Sequence, residues 1–250
     1  MGNPQAAKKR KIAHDSNTKF ALRQNAVNAP SHGIETVVVR TGPGDYTKTF
    51  NVHKDLLTKH SEFFKAALSS EWKEGQERVV RLRELENPEP FKLFVDFLYT
   101  GKIFSGKVVD VGTMDHSEAN LQEYYLLVKA WTLGEMILST PFKDGIMDAM
   151  ISKLVAGEDF PDSWHPWVWK RTTPNSTLRR LLVDIAIWDW EEDTLSEVVK
   201  PESGNVELLY DLAVGLTKIT QTGRKGSAPY MADSTCIYHE HGEDKACYKA

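Results

Sequence analysis

Two cysteines and two histidines crowd the end of this 250-residue chain, spaced Cys236-x2-His239-x-His241-x5-Cys247. Thiolates and imidazoles are the side chains that tetrahedral zinc takes, and four of them within twelve residues is the right number for one ion. The spacing is as compact as that of a zinc-knuckle loop but follows no established pattern. The competing reading is a disordered tail whose cysteines stay reduced. No other cysteines occur, so no disulfide framework holds the main fold.

A second stretch imitates phosphate chemistry. Gly101-Lys102-Ile103-Phe104-Ser105-Gly106-Lys107-Val108 nearly matches the phosphate-cradling loop Gly-x4-Gly-Lys-Ser/Thr. Val108, however, stands where a hydroxyl must hold magnesium. The stretch also follows an expected helix, whereas that loop needs a strand before it and a helix after it. The nucleotide reading is rejected. Gly-x-Ser-x-Gly, His-Glu-x2-His and the dinucleotide glycine fingerprint are all absent. With no nucleophile, base or cofactor loop to build on, the sequence points to a binding protein without a small-molecule substrate, and not to an enzyme.

Charge adds two constraints. Lys8-Lys9-Arg10-Lys11 is a basic cluster of the kind an import receptor binds; the alternative is a solvated basic tail. The net charge of −4 is small and mixed, which argues against a broad basic face gripping nucleic acid. No run of eighteen apolar residues occurs and the N-terminus has no apolar core, so neither a membrane span nor a secretory signal is expected. The expected location is intracellular, in the nucleus, the cytoplasm or both.

The elements that must position these groups centre on residues 50–101. Leu56, Leu57, His60, Phe63, Phe64, Ala67 and Leu68 recur at three- and four-residue intervals, which predicts one helix face starting near Val52. Arg78 to Leu85 alternates as a half-buried strand. Pro88 and Pro90 open a helix carrying Phe91, Phe94, Val95, Leu98 and Tyr99, and Gly101 stops it. Upstream, Thr36 to Arg40 and Tyr46 to Val52 form a hairpin around Gly42-Pro43-Gly44-Asp45. This pattern is α+β.

Downstream the pattern is helical. A helix from Leu121 is expected to end or bend at Gly134, and Ser139-Thr140-Pro141 opens the next. Helices are expected at Leu178 to Asp189, behind the capping signal Thr173-Pro174-Asn175-Ser176-Thr177, and at Val206 to Ile219. The tryptophan-rich stretch between, with Trp164, Trp167 and Trp169, is expected to pack on the domain, since an exposed cluster of that size is costly. A 41% hydrophobic content suits one full domain and a smaller appendage.

Three phrases carry a family resemblance: Phe50-x-Val52-His53-Lys54, Ser61-x-Phe63-Phe64 and Phe97-Leu98-Tyr99-Thr100-Gly101. In that order and spacing they resemble the BTB/POZ domain, particularly the single-domain form abundant in filamentous fungi. The likeness extends from Thr36-Val37-Val38-Val39 to Leu154, roughly half the chain. Leu178-Arg179-Arg180-Leu181-Leu182-Val183-Asp184 also resembles a phrase that follows the BTB unit in those proteins. Glu35 departs from the pattern, since the family usually has aspartate there.

The resemblance implies a small sheet flanked by a cluster of α-helices, with a C-terminal helical extension. The expected division is a disordered basic tail at 1–33, a BTB/POZ domain at 34–156, the extension at 157–220, and a linker with a Cys/His-containing tail at 221–250. It further implies a homodimer that recruits other proteins, with a seam around Glu35, His53, Lys54, Leu56 and Leu57. Glu35 and Lys54 match an acidic and a basic residue that lie near each other in many BTB dimers; otherwise they are two solvated surface charges. His53 matches a position where the ring packs and caps locally. Phe20, Gln24 and Val27 could share a helix face where many BTB dimers swap a helix. Above the module two roles compete: substrate adaptor of a cullin-type ubiquitin ligase, and nuclear co-regulator with a C-terminal zinc loop.

Overall fold

Strand β1 (Thr36–Thr41) is the middle of a three-stranded sheet. It pairs antiparallel with β2 (Lys48–His53), where Val37 lies opposite Val52, and parallel with β3 (Val79–Leu82), where Val39 lies opposite Val80. Val37, Val39 and Thr41 are buried and alternate with more exposed neighbours, so one face of the sheet feeds the core. A parallel pair needs a crossover. Here it is helical: α1 (Lys54–His60), α2 (Glu62–Ala67) and α3 (Lys73–Glu77). The computed structural model describes residues 32–43, 47–106, 116–200, 205–223, 226–241 and 247–249. The Lys8–Lys11 cluster, the Phe20, Gln24, Val27 stripe, the tip of the hairpin turn and Lys107-Val108 fall outside them.

The single helix expected from Val52 is corrected to a strand and two helices. Val52 belongs to β2, and Ser61 interrupts the helical path with φ −147° and ψ 118°. The reason is local: its hydroxyl accepts the Phe64 N–H at 3.1 Å and starts α2 as a cap. The break turns both Leu57 and Phe64 into the core, where each is fully buried.

Helix α4 (Glu89–Thr100) has Pro90 in its first turn and ends at Gly101, whose N–H donates to the Phe97 carbonyl and whose φ of 67° turns the following chain out of the helix. Helices α5 (His116–Met136) and α6 (Thr140–Val155) follow. Gly134, expected as an end or bend, lies inside α5. A Cβ there would stand 2.5 Å from Lys143 Cγ on α6, so the glycine serves helix–helix approach. Phe142 on α6 reaches Phe94 and Phe97 of α4, with ring centroids 5.0 and 5.5 Å apart.

The C-terminal part contains α7 (His165–Trp169), α8 (Thr177–Asp189), α9 (Glu192–Val198) and α10 (Val206–Thr222), of which α7 and α9 are not expected as helices from the sequence. Ser176 caps α8 by accepting the Arg179 N–H. Trp169 is buried and Trp164 and Trp167 pack partly against the core. On α10, Leu208 and Leu212 are buried while Leu209 and Leu216 face outward. The stretch expected to be linker and tail behaves otherwise where it is described. Ala228, Tyr230 and Tyr238 are buried in the same hydrophobic core as the β-sheet, and residues 33 onward form one compact unit. Aromatic rings with hydroxyls that find carboxylates make this packing favourable. Among the described residues no helix is long and apolar enough to cross a membrane.

Candidate functional site

The residues expected at the seam divide into two groups. Glu35 lies just ahead of β1 and its carboxylate meets Lys54 Nζ at 3.4 Å and Arg78 at 3.0 Å, while its carbonyl accepts the Lys54 N–H. The pair thus closes within one chain, and being half-exposed it is worth no more than about 1 kcal/mol. His53 occupies the cap position of α1, but its ring does not cap. Instead Nδ1 lies 2.7 Å from the Tyr99 hydroxyl on α4, tying β2 to that helix. Leu56 and Leu57 are corrected: only 6% and 0% exposed, they fill the protomer's own core and offer no surface to a second copy. Apolar surface near the group comes from Ile34, almost fully exposed, and from Tyr99.

The stretch 101–106 gives no phosphate cradle. Gly101 caps α4, and the Ser105 hydroxyl donates to Glu123 at 2.6 Å.

At the other end the structure brings Cys236, His239, His241 and Cys247 together, with one potential ligand atom from each lying within 4.8 Å of all the others. A one-turn 3-10 helix, Cys236–Tyr238, starts the group. His239 Nδ1 stands 3.6 Å from Cys247 Sγ. Bonding to His241 and Ser234 lowers the Cys236 thiol to about 7, close to the thiolate form that ligates metals. Both cysteines are free thiols.

The support comes from helices α6 and α8. Tyr238 is fully buried and its hydroxyl donates to Asp184 at 2.7 Å, while Arg180 donates to the Ile237 carbonyl at 2.6 Å. Asp144 accepts the backbone N–H of Glu240 at 2.8 Å. Asp148 accepts from Thr235 and from the Tyr248 hydroxyl, lies 2.8 Å from Lys249 Nζ, and meets His239 Nε2 at 3.1 Å in an oblique approach. Burial pushes the Asp148 carboxyl up, but the bonds from His239, Lys249, Thr235 and Tyr248 outweigh it and hold the group well below the usual carboxylate range. Burial alone would lower His239; Asp148 raises it instead. Lys143, buried over the Trp131 ring, pairs with Glu135 and Glu240.

None of these supporting carboxylates was singled out from the sequence. The available signal was Asp144 and Asp148, four apart in a helix whose other positions are apolar almost all round.

Residues 36–136 match the family model of the BTB/POZ domain. This segment is a BTB/POZ domain. It spans the sheet, α1 to α4 and the whole of α5, so α6 and everything after it lie beyond the match. BTB/POZ domains are in general protein–protein interaction modules, mediating self-association and the binding of other proteins. The phrases that carried the resemblance have structural duties in this BTB/POZ domain: Ser61 caps α2, Phe64 fills the core, and Gly101 ends α4. No curated protein matches the chain.

Proposed function

We propose that this protein works by binding, as a homodimer that recruits other proteins, and that its C-terminal cluster holds one structural zinc ion. The observation that carries the first part is the BTB/POZ match over residues 36–136. The dimer face takes Ile34, Glu35, His53, Lys54 and Tyr99 at its surface, with Leu56 and Leu57 stiffening α1 from inside. Ile34 supports this, since a 97% exposed isoleucine beside a charged pair suits a seam with an apolar centre and polar rim. Sedimentation velocity on the full chain at tens of micromolar should give twice the 28.3 kDa of one chain. Ile34→Asp should shift it toward monomer. A wild type that stays monomeric overturns the dimer.

Zinc is supported by donor type and by gathering: two thiols and two imidazoles, drawn from both ends of a twelve-residue stretch, converge. In a reducing compartment such cysteines bind metal more readily than each other. An intracellular location is therefore part of the proposal, with nuclear entry assigned to Lys8, Lys9, Arg10 and Lys11.

Of the two roles above the module, adaptor to a cullin-type scaffold is favoured over nuclear co-regulator. His239 is buried and Tyr238 is sealed against α8, while Cys236 is exposed, so the cluster sits at the edge of the domain, and the net charge of −4 gives it no broad basic surface for nucleic acid. The extension shares the domain's core and so can steady a scaffold contact. Purified full-length protein should bind a cullin N-terminal domain. Failure to bind, with nuclear accumulation lost on replacing Lys8 to Lys11, would favour the co-regulator.

A further inference from the structure

We infer that Asp148 is the positioning residue of the C-terminal metal centre, and that Asp148 and Asp144 together make metal binding fasten the C-terminal segment to α6. The inference rests on the zinc reading above.

Apart from the ion pair with Lys249, the contacts of these carboxylates fall on or beside a ligand. Thr235, which donates to Asp148 Oδ1 at 2.5 Å, precedes Cys236. Tyr248, which donates to Asp148 Oδ2, follows Cys247. Glu240, whose N–H reaches Asp144 Oδ1, lies between His239 and His241. His239 itself touches Asp148. Two carboxylates one helical turn apart therefore hold the two stretches that bear the four ligands against one face of α6.

The ring of His239 fixes the roles. Its Nδ1 points at the cluster, 3.6 Å from Cys247 Sγ, and its Nε2 points at Asp148. Zinc–sulfur and zinc–nitrogen bonds of about 2.3 and 2.0–2.1 Å at a tetrahedral angle put the two ligand atoms about 3.6 Å apart, which this pair already satisfies. Tetrahedral edges run to about 3.8 Å, so the widest separation of 4.8 Å needs to close by only about 1 Å. With Nδ1 on the metal, Nε2 keeps the proton and faces Asp148 at 3.1 Å; closing that oblique approach into a hydrogen bond sets the tautomer, orients the ring and strengthens it as a ligand.

The test compares full-length wild type with Asp148→Asn, Asp189→Asn and Cys236→Ser/Cys247→Ser, each loaded with zinc alone or cobalt(II) alone. Asp189 is the control: it holds the same C-terminal segment through the Tyr230 hydroxyl at 2.6 Å, ahead of the first ligand, Cys236, and not through a residue on or next to a ligand. Wild type should retain one zinc and the double variant none. In competition with a chelator, Asp148→Asn should lose about 10–100-fold in zinc affinity, while Asp189→Asn should stay within about twofold. The cobalt d–d bands should shift in Asp148→Asn and stay fixed in Asp189→Asn. Wild-type affinity and an unshifted spectrum in Asp148→Asn overturn the inference, as does an equal loss in Asp189→Asn. If Asp148→Asn does not fold, Asp148→Glu carries the comparison, with a shifted cobalt band in support and an unshifted one, at unchanged affinity, against. A wild type without zinc and without cobalt–thiolate absorption sinks the zinc reading itself.

Discussion

The Ser61 hydroxyl donates to the Ile137 carbonyl at 2.5 Å while accepting the Phe64 N–H at 3.1 Å. One small side chain thus starts α2 and satisfies a carbonyl just past the end of α5, 76 residues away. Both bonds are buried. Ser61→Ala loses a cap and strands a buried carbonyl, so it should lower unfolding free energy by about 1–3 kcal/mol. Urea titration reads this as a lower midpoint with an unchanged slope. Ser61→Asp keeps a capping acceptor but cannot donate to the carbonyl, so its loss should be at least as large.

Arg179 explains why the phrase Leu178 to Asp184 reads as a unit. The guanidinium, 3% exposed, donates to the carbonyls of Trp169 and Thr172, to the Thr172 hydroxyl and to Glu207. It therefore joins the end of α7, the start of α8 and the first turn of α10. Leu178, Leu181 and Leu182 fill the core, and Arg180 and Asp184 hold the C-terminal segment. A lysine cannot reproduce the planar fork, so Arg179→Lys should cost on the order of 3 kcal/mol by leaving buried acceptors unpaired. Thermal unfolding should show the drop, and Arg180→Lys, on an exposed bond, should change little.

What could be foreseen follows from where each signal sits. Gly101, Pro90 and Ser176 act on their own turn of chain, and the β-branched run at Thr36 to Val39 reports its own burial, so the hairpin, α4 and the cap of α8 were legible. Ser61 misled because apolar spacing continued across it: its cap on Phe64 is local, but the second bond that the broken helix makes, to Ile137, comes from a remote stretch. The ligand types of the C-terminal cluster were legible from spacing alone. Their support was not, because Asp144 and Asp148 meet Glu240 and Tyr248 from 96 and 100 residues away. Leu56 and Leu57 had the right position on α1 but the opposite direction, which a periodic stripe cannot assign when both core and partner are apolar.

Gly134 predicts a coupling between α5 and the cluster. A Cβ at this position would press on the stem of Lys143, whose ammonium is held by Glu135 and Glu240 and so cannot swing away. Gly134→Ala should therefore destabilise by about 1–3 kcal/mol despite its better helix propensity. Because Glu240 separates His239 from His241, the same variant should also weaken zinc retention, which chelator competition measures.

His165 makes stability fall in mild acid. The ring is fully buried between Phe160 and Trp190, and its two nitrogens face the carbonyls of Asp162 and Leu182 at 2.9 and 3.2 Å. Burial lowers it to about 4; the two carbonyls favour the proton but do not overcome the desolvation. The folded pKa lies below the unfolded one, so the unfolded chain binds the extra proton first. Stability is fully present above about pH 6.5 and is lost as pH falls toward about 4, by at most on the order of 3 kcal/mol. Asp162, raised by burial, acts in the opposite sense at lower pH. Urea midpoints between pH 7.5 and 5 should fall for the wild type. His165→Gln should start lower at pH 7.5 yet vary less across that range, and an equal slope in both would show that another group supplies the acid sensitivity.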